Sequence, residues 1–134
     1  MAVVARMGPP TLMVTFTANP NWPEIQEILL PGQVGMDRPD LINRVFKMKL
    51  KHLLGDMRSS TTFGRRCQYI MHVVEYQARG VGHAHIIVKY DGENLKKTGE
   101  VDDWIWVNLP DASIANGELR EKVLKHMVHK KCGK

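Results

Sequence analysis

Two runs of strand-forming residues, Cys67 to Gln77 (CQYIMHVVEYQ) and His83 to Tyr90 (HAHIIVKY), flank the short segment Ala78-Arg79-Gly80-Val81-Gly82. Runs this close, joined by residues that include glycines, fold as an antiparallel β-hairpin. The hairpin limits what the rest can be, because the clearest helix has an apolar face that must pack on a sheet. That helix is expected over residues 40 to 57, where Ile42, Phe46, Leu50, Leu53 and Met57 recur at spacings of three and four and Asp40 is placed to cap the start. Leu12 to Thr17 (LMVTFT), bounded by Pro10 and by Asn19-Pro20, reads as a further strand, and Trp104 to Leu109 (WIWVNL) as another. Gly117 to Lys130 reads as a second amphipathic helix through Leu119, Val123, Leu124, Met127 and Val128. Residues 1 to 7 are helix-compatible and Gly8-Pro9-Pro10 stops them, while Asn19 to Arg38 reads as a long connection with at most a short helix after Pro23. The order strand, helix, strand, strand, strand, helix argues for an α+β fold, a central antiparallel sheet with helices mainly on one face.

A chain of 134 residues is expected to be a single domain over 1–134, which excludes a tandem enzyme. With 43% hydrophobic and 25% charged residues it is neither disordered nor long enough in any apolar run to cross a membrane. The start MAVVARMGPP shows no secretory signal, so an intracellular setting is expected. A net charge of +5 and a pI near 9.4 fit a polyanionic partner or simply a basic soluble surface. Cys67 and Cys132 provide no disulfide framework and no CxxC zinc pair.

The chemistry is concentrated in the hairpin. His83 and His85 alternate about Ala84, so a strand turns both imidazoles to one face. A three-residue turn Ala78-Arg79-Gly80, with Gly80 left-handed, sets Glu75 opposite His83 and brings its carboxylate to the same face. Two imidazoles and a carboxylate suit a divalent cation, Mg²⁺ or Mn²⁺, with positions open for a phosphate oxygen. The plainer reading is two surface histidines. Position 87 is Ile, which argues against a histidine-triad hydrolase, and a metal-dependent barrel needs roughly 250 residues. Arg44, Lys47 and Lys51 form a basic stripe that fits either a sugar-phosphate backbone or a solvated helix face. Trp22 fits stacking on an unpaired base or a plug over the core edge. Period two puts Gln77 on the face of Glu75 and His72 on the opposite one.

The blocks TFTANPNWPEI (15 to 25), RPDLINRVFKMKLKHLL (38 to 54), VVEYQARGVGHAHIIV (73 to 88) and VLKHMVHKKCG (123 to 133) together resemble the replication-initiator domain of Helitron transposons, the Helitron helicase-like N-terminal domain. That family resembles the HUH endonucleases of rolling-circle replication. The resemblance implies that His83 and His85 hold a divalent metal with Glu75 as third ligand, and that Thr15 and Thr17 lie beside DNA. It implies a single-stranded DNA partner, nicking and rejoining through a tyrosine, a larger transposase carrying a helicase, and a nuclear location in a eukaryote. The family's nucleophilic tyrosines lie on a helix beyond the histidine strand, and no tyrosine follows Tyr90 here, so the nucleophile is expected outside this chain. Lys130-Lys131-Cys132-Gly133 stands where the family usually reads Gly-Pro-Cys-Gly, leaving His129 and Cys132 as half a zinc site or as the basic end of a helix. The two ends read as those of an excised or truncated piece. No GxxxxGK[ST] loop is present, so helicase activity is not expected in this segment. A non-catalytic DNA-binding module and a water-using phosphodiesterase are the rival readings.

Overall fold

The strand bearing both histidines, β3 (Gly82–Tyr90), lies at the centre of a three-stranded sheet, with β1 (Leu12–Thr17) on one side and β2 (Cys67–Tyr76) on the other. Both pairings are antiparallel. A computed structural model describes residues 2–76, 80–92, 108–113 and 117–128. They fall into two units, residues 1–94 and 95–134. The fold is α+β, as the element order predicts.

In the first unit, β3 alternates strictly: Gly82, Ala84, Ile86, Val88 and Tyr90 are buried, and the residues between them are half-buried. The buried set meets α3 (Pro39–Arg58), which buries Leu41, Ile42, Val45, Phe46, Leu50, Leu54 and Met57. Leu54, rather than the expected Leu53, joins the buried stripe. Gly82 is needed at its place, since a Cβ there would stand 2.7 Å from the Phe46 ring. Two polar links fix the helix to the hairpin. The Tyr90 hydroxyl donates to the Met57 carbonyl at 2.8 Å, and the Asn43 amide donates to the Gly80 carbonyl at 2.8 Å.

Asp40 does not cap α3 as expected. Pro39 occupies the first turn, where its missing N–H costs nothing, and Asp40 lies inside that turn, paired with Arg38 at 2.8 Å. The guanidinium holds the Asp40 carboxyl down at about 2. The connection before α3 carries the short helix α2 (Pro23–Gln26), as anticipated, and also a 3-10 turn over Gly35–Asp37. After α3 comes α4 (Ser60–Phe63), a short turn that composition did not reveal; the Ser59 hydroxyl accepts from the Thr61 N–H. The helix-compatible start is α1 (Ala2–Met7), followed by Gly8 at φ 83°. An irregularity between Cys67 and Tyr69 shifts the β2 register, and the Tyr69 hydroxyl donates to the Gly8 carbonyl at 2.9 Å.

The second unit holds α5 (Gly117–His126), shorter than the helix expected to Lys130. Lys122 pairs with Glu118 one turn away, and Arg120 donates to the Pro110 carbonyl. Leu119 and Leu124 on this helix are exposed. Apart from Asn108 and Leu109, which are not in a strand, the strand expected over 104–109 lies outside the described residues. Among the described residues no helix is long and apolar enough to cross a membrane.

Candidate metal centre

The sheet face turned away from α3 is a grid of three rows, each crossing all three strands. The first row is Thr17, His83 and Glu75; the second is Thr15, His85 and Val73; the third is Met13, Ile87 and Met71. The hairpin register anticipated from the turn is therefore present, with Glu75 opposite His83. Gly80 takes φ 72°, the left-handed conformation the turn requires. The row nearest the turn is polar and the third is apolar, with Met13 at 66% exposure.

Within the polar rows, the rings of His83 and His85 are 4.5 Å apart and nearly perpendicular. Glu75 Oε2 lies 3.7 Å from His85 Nε2, a diagonal approach longer than a hydrogen bond. His83 Nδ1 is 2.6 Å from the Thr17 hydroxyl. His85 Nδ1 is buried and has no hydrogen-bond partner, a state that buried polar atoms rarely keep without a ligand or water. The donor chemistry thus suits a divalent cation: one carboxylate and two imidazoles, one of which has an unpartnered ring nitrogen. Convergence is less complete, since no group of three or more His, Cys, Asp or Glu side chains among the described residues is gathered as a metal site.

The tyrosines lie elsewhere. The Tyr90 hydroxyl is on the α3 side, and burial pushes its pKa up to about 12. Tyr69 pairs with Lys89, six residues along β3 from His83, which is roughly 20 Å at strand rise. Burial raises its pKa too. Tyr76 is exposed, opposite Gly82 and one residue out of phase with Glu75. All three fit sheet packing better than nucleophilic attack beside the histidines.

The other candidate residues fall on different sides. Arg44, Lys47 and Lys51 are exposed on α3, whose buried stripe meets the covered sheet face, so they point away from the histidine face. Trp22 stacks on Phe16 at 5.9 Å, and Phe16 on Phe46 at 5.5 Å, so this indole belongs to the helix side of the sheet. Lys49 lies over the Trp22 ring at 5.3 Å and pairs with Glu24, lowering that carboxyl's pKa. Thr15 and Thr17 are exposed and share rows with His85 and His83. Gln77, His129 and Cys132 lie outside the described residues. Sequence reasoning missed Thr17 as a partner of His83; its only signal was its parity on β1, which carries no information until β1 is paired with β3.

Residues 1–88 match the family model described as the Helitron helicase-like domain at the N-terminus. The match spans most of the chain, including every strand residue named above except Lys89 and Tyr90, and the chain belongs to that family. Membership ties it to a Helitron transposase-related role, as one part of a larger transposase. No match was found among curated proteins.

Proposed function

We propose that this chain is the metal-binding core of a Helitron-type HUH endonuclease that nicks and rejoins single-stranded DNA, with the nucleophilic tyrosine supplied from outside residues 1–134. The observation that carries the reading is the placement of Glu75, His83 and His85 together on the open face of one hairpin, within a domain of the Helitron family. His83 and His85 would hold the cation through ring nitrogens, and Glu75 would complete the set and offset part of its charge. When bound, Mg²⁺ or Mn²⁺ polarises the scissile phosphate and stabilises charge developing on its oxygens. The incoming tyrosine oxygen would displace the 3′ oxygen, its phenolic proton in effect passing to that leaving oxygen, so that a 5′-phosphotyrosine link and a free 3′-hydroxyl result. Thr15, beside His85, and the apolar row of Met13, Ile87 and Met71 offer the DNA a surface next to the cation. Such a substrate places the protein with DNA inside the cell, in the nucleus of a eukaryote.

A second reading, a DNA-binding module without chemistry, is favoured by the positions of Tyr69, Tyr76 and Tyr90 away from the histidines. A Mn²⁺ titration followed by electron paramagnetic resonance separates the two. The expected result is one bound Mn²⁺ per chain, lost in the His83→Ala, His85→Ala double variant. No specific binding by the unaltered chain would leave the module reading in front. A longer chain that supplies tyrosine should then form a covalent protein–DNA adduct; cleavage without an adduct would indicate attack by water instead.

A further inference from the structure

We infer that Thr17 is a positioning residue that sets the tautomer of His83, holding the proton on Nδ1 so that Nε2 presents its lone pair to the open face. The inference rests on the metal-binding reading of this face for its purpose, though not for its geometry. The geometry is the 2.6 Å approach of the Thr17 hydroxyl to His83 Nδ1 across the β1–β3 pair. A neutral imidazole carries one N–H, and the hydrogen bond at one ring nitrogen decides the state of the other. Two arrangements are compatible with this contact. If the hydroxyl donates, the ring proton lies on Nε2, which makes no hydrogen bond to a described residue, and no lone pair is left for a cation. If the hydroxyl accepts from Nδ1–H, the ring donor is satisfied within the protein and Nε2 is free to ligate. Thr17 is exposed, so its own proton can go to water while its oxygen accepts. The second arrangement satisfies the ring donor within the protein and matches the usual support of a metal-bound histidine, whose remote N–H is held by an oxygen acceptor.

The assignment also separates two threonines that look alike in sequence. Thr15 faces His85, yet His85 Nδ1 has no hydrogen-bond partner, so only His83 has its ring held from β1. His85 therefore serves as an internal control.

The test is a two-bond ¹H–¹⁵N correlation spectrum of the imidazoles in the metal-free chain near pH 8, above the ordinary histidine pKa of about 6.5. The unaltered chain, Thr17→Ser and the isosteric Thr17→Val would be compared. His83 should be the Nδ1–H form in the unaltered chain and in Thr17→Ser. It should move toward Nε2–H in Thr17→Val, with His85 unchanged. Mn²⁺ affinity, read by electron paramagnetic resonance, should fall about 10–100-fold in Thr17→Val and recover in Thr17→Ser. An Nε2–H form in the unaltered chain, or an Nδ1–H form that persists in Thr17→Val, would overturn the inference. A tautomer that follows Thr17 in a chain binding no Mn²⁺ would support the hydrogen-bond assignment and overturn the metal reading instead.

Discussion

Ile86 and Ile87 are neighbours of identical chemistry on one strand, and they belong to different parts of the molecule. Ile86 is fully buried against the α3 side, whereas Ile87 is half-buried on the open face, in the row below the histidines. The contrast extends along β3: even-numbered positions build the core, and odd-numbered ones carry the candidate site. A single strand thus supplies both the core and the candidate site, separated only by the alternation of the pleat. Residues on the open face are consequently free to be chosen for ligand chemistry, because little of the folding energy depends on them.

Substitutions that respect this alternation should separate the faces. Ile86→Ala removes buried methyl groups from a packed core and should cost about 2–5 kcal/mol, while Ile87→Ala should cost roughly 1 kcal/mol or less. Urea unfolding of the two variants gives the comparison directly, and equal losses would mean that the open face is packed after all. Gly82→Ala should cost about 1–3 kcal/mol, since its new Cβ meets the Phe46 ring and a locked core side chain must shift. A milder effect concerns pH on the covered face. The Tyr90 hydroxyl is held neutral up to about 12, whereas an unfolded tyrosine ionises near its ordinary value of 10. Above that ordinary value the unfolded chain binds fewer protons, so stability should fall as pH rises, by up to about 1.4 kcal/mol per unit from this group. Tyr90→Phe should remove that share of the slope, seen as converging stabilities for the two chains between pH ~10 and ~12. The smallest effect belongs to the open face: the His83→Ala, His85→Ala chain should unfold within about 1 kcal/mol of the unaltered one. A larger loss there would make the histidines structural.

Much of the site was legible because it is local. Glu75, His83 and His85 belong to one hairpin, where strand parity and a left-handed Gly80 suffice to align them. The apolar stripe of α3 was legible for the same reason, through its period, with Leu54 replacing Leu53 by one position. The first turn of that helix was less legible, because residue type alone puts Asp40 at the cap, whereas Pro39 moves the start back and Arg38 takes the carboxylate. Trp22 left two readings open in sequence, and its stack on Phe16 places it on the covered side of the sheet.

By itself the sequence determined the hairpin, the shared face of its two histidines and carboxylate, the amphipathic helix that covers the other face, and the family resemblance carried by four ordered blocks. These are consequences of backbone periodicity and short-range turn chemistry, which a chain expresses over a few residues. Only the tertiary structure decided that β1 runs antiparallel to β3, which puts Thr17 against His83 Nδ1 although 66 residues separate them. It also decided that the basic stripe of Arg44, Lys47 and Lys51 points away from the histidine face, because burial of the stripe led by Ile42 and Phe46 fixes how the helix is turned. Contacts of that kind depend on which distant apolar faces find each other, and no local pattern in the chain encodes that choice.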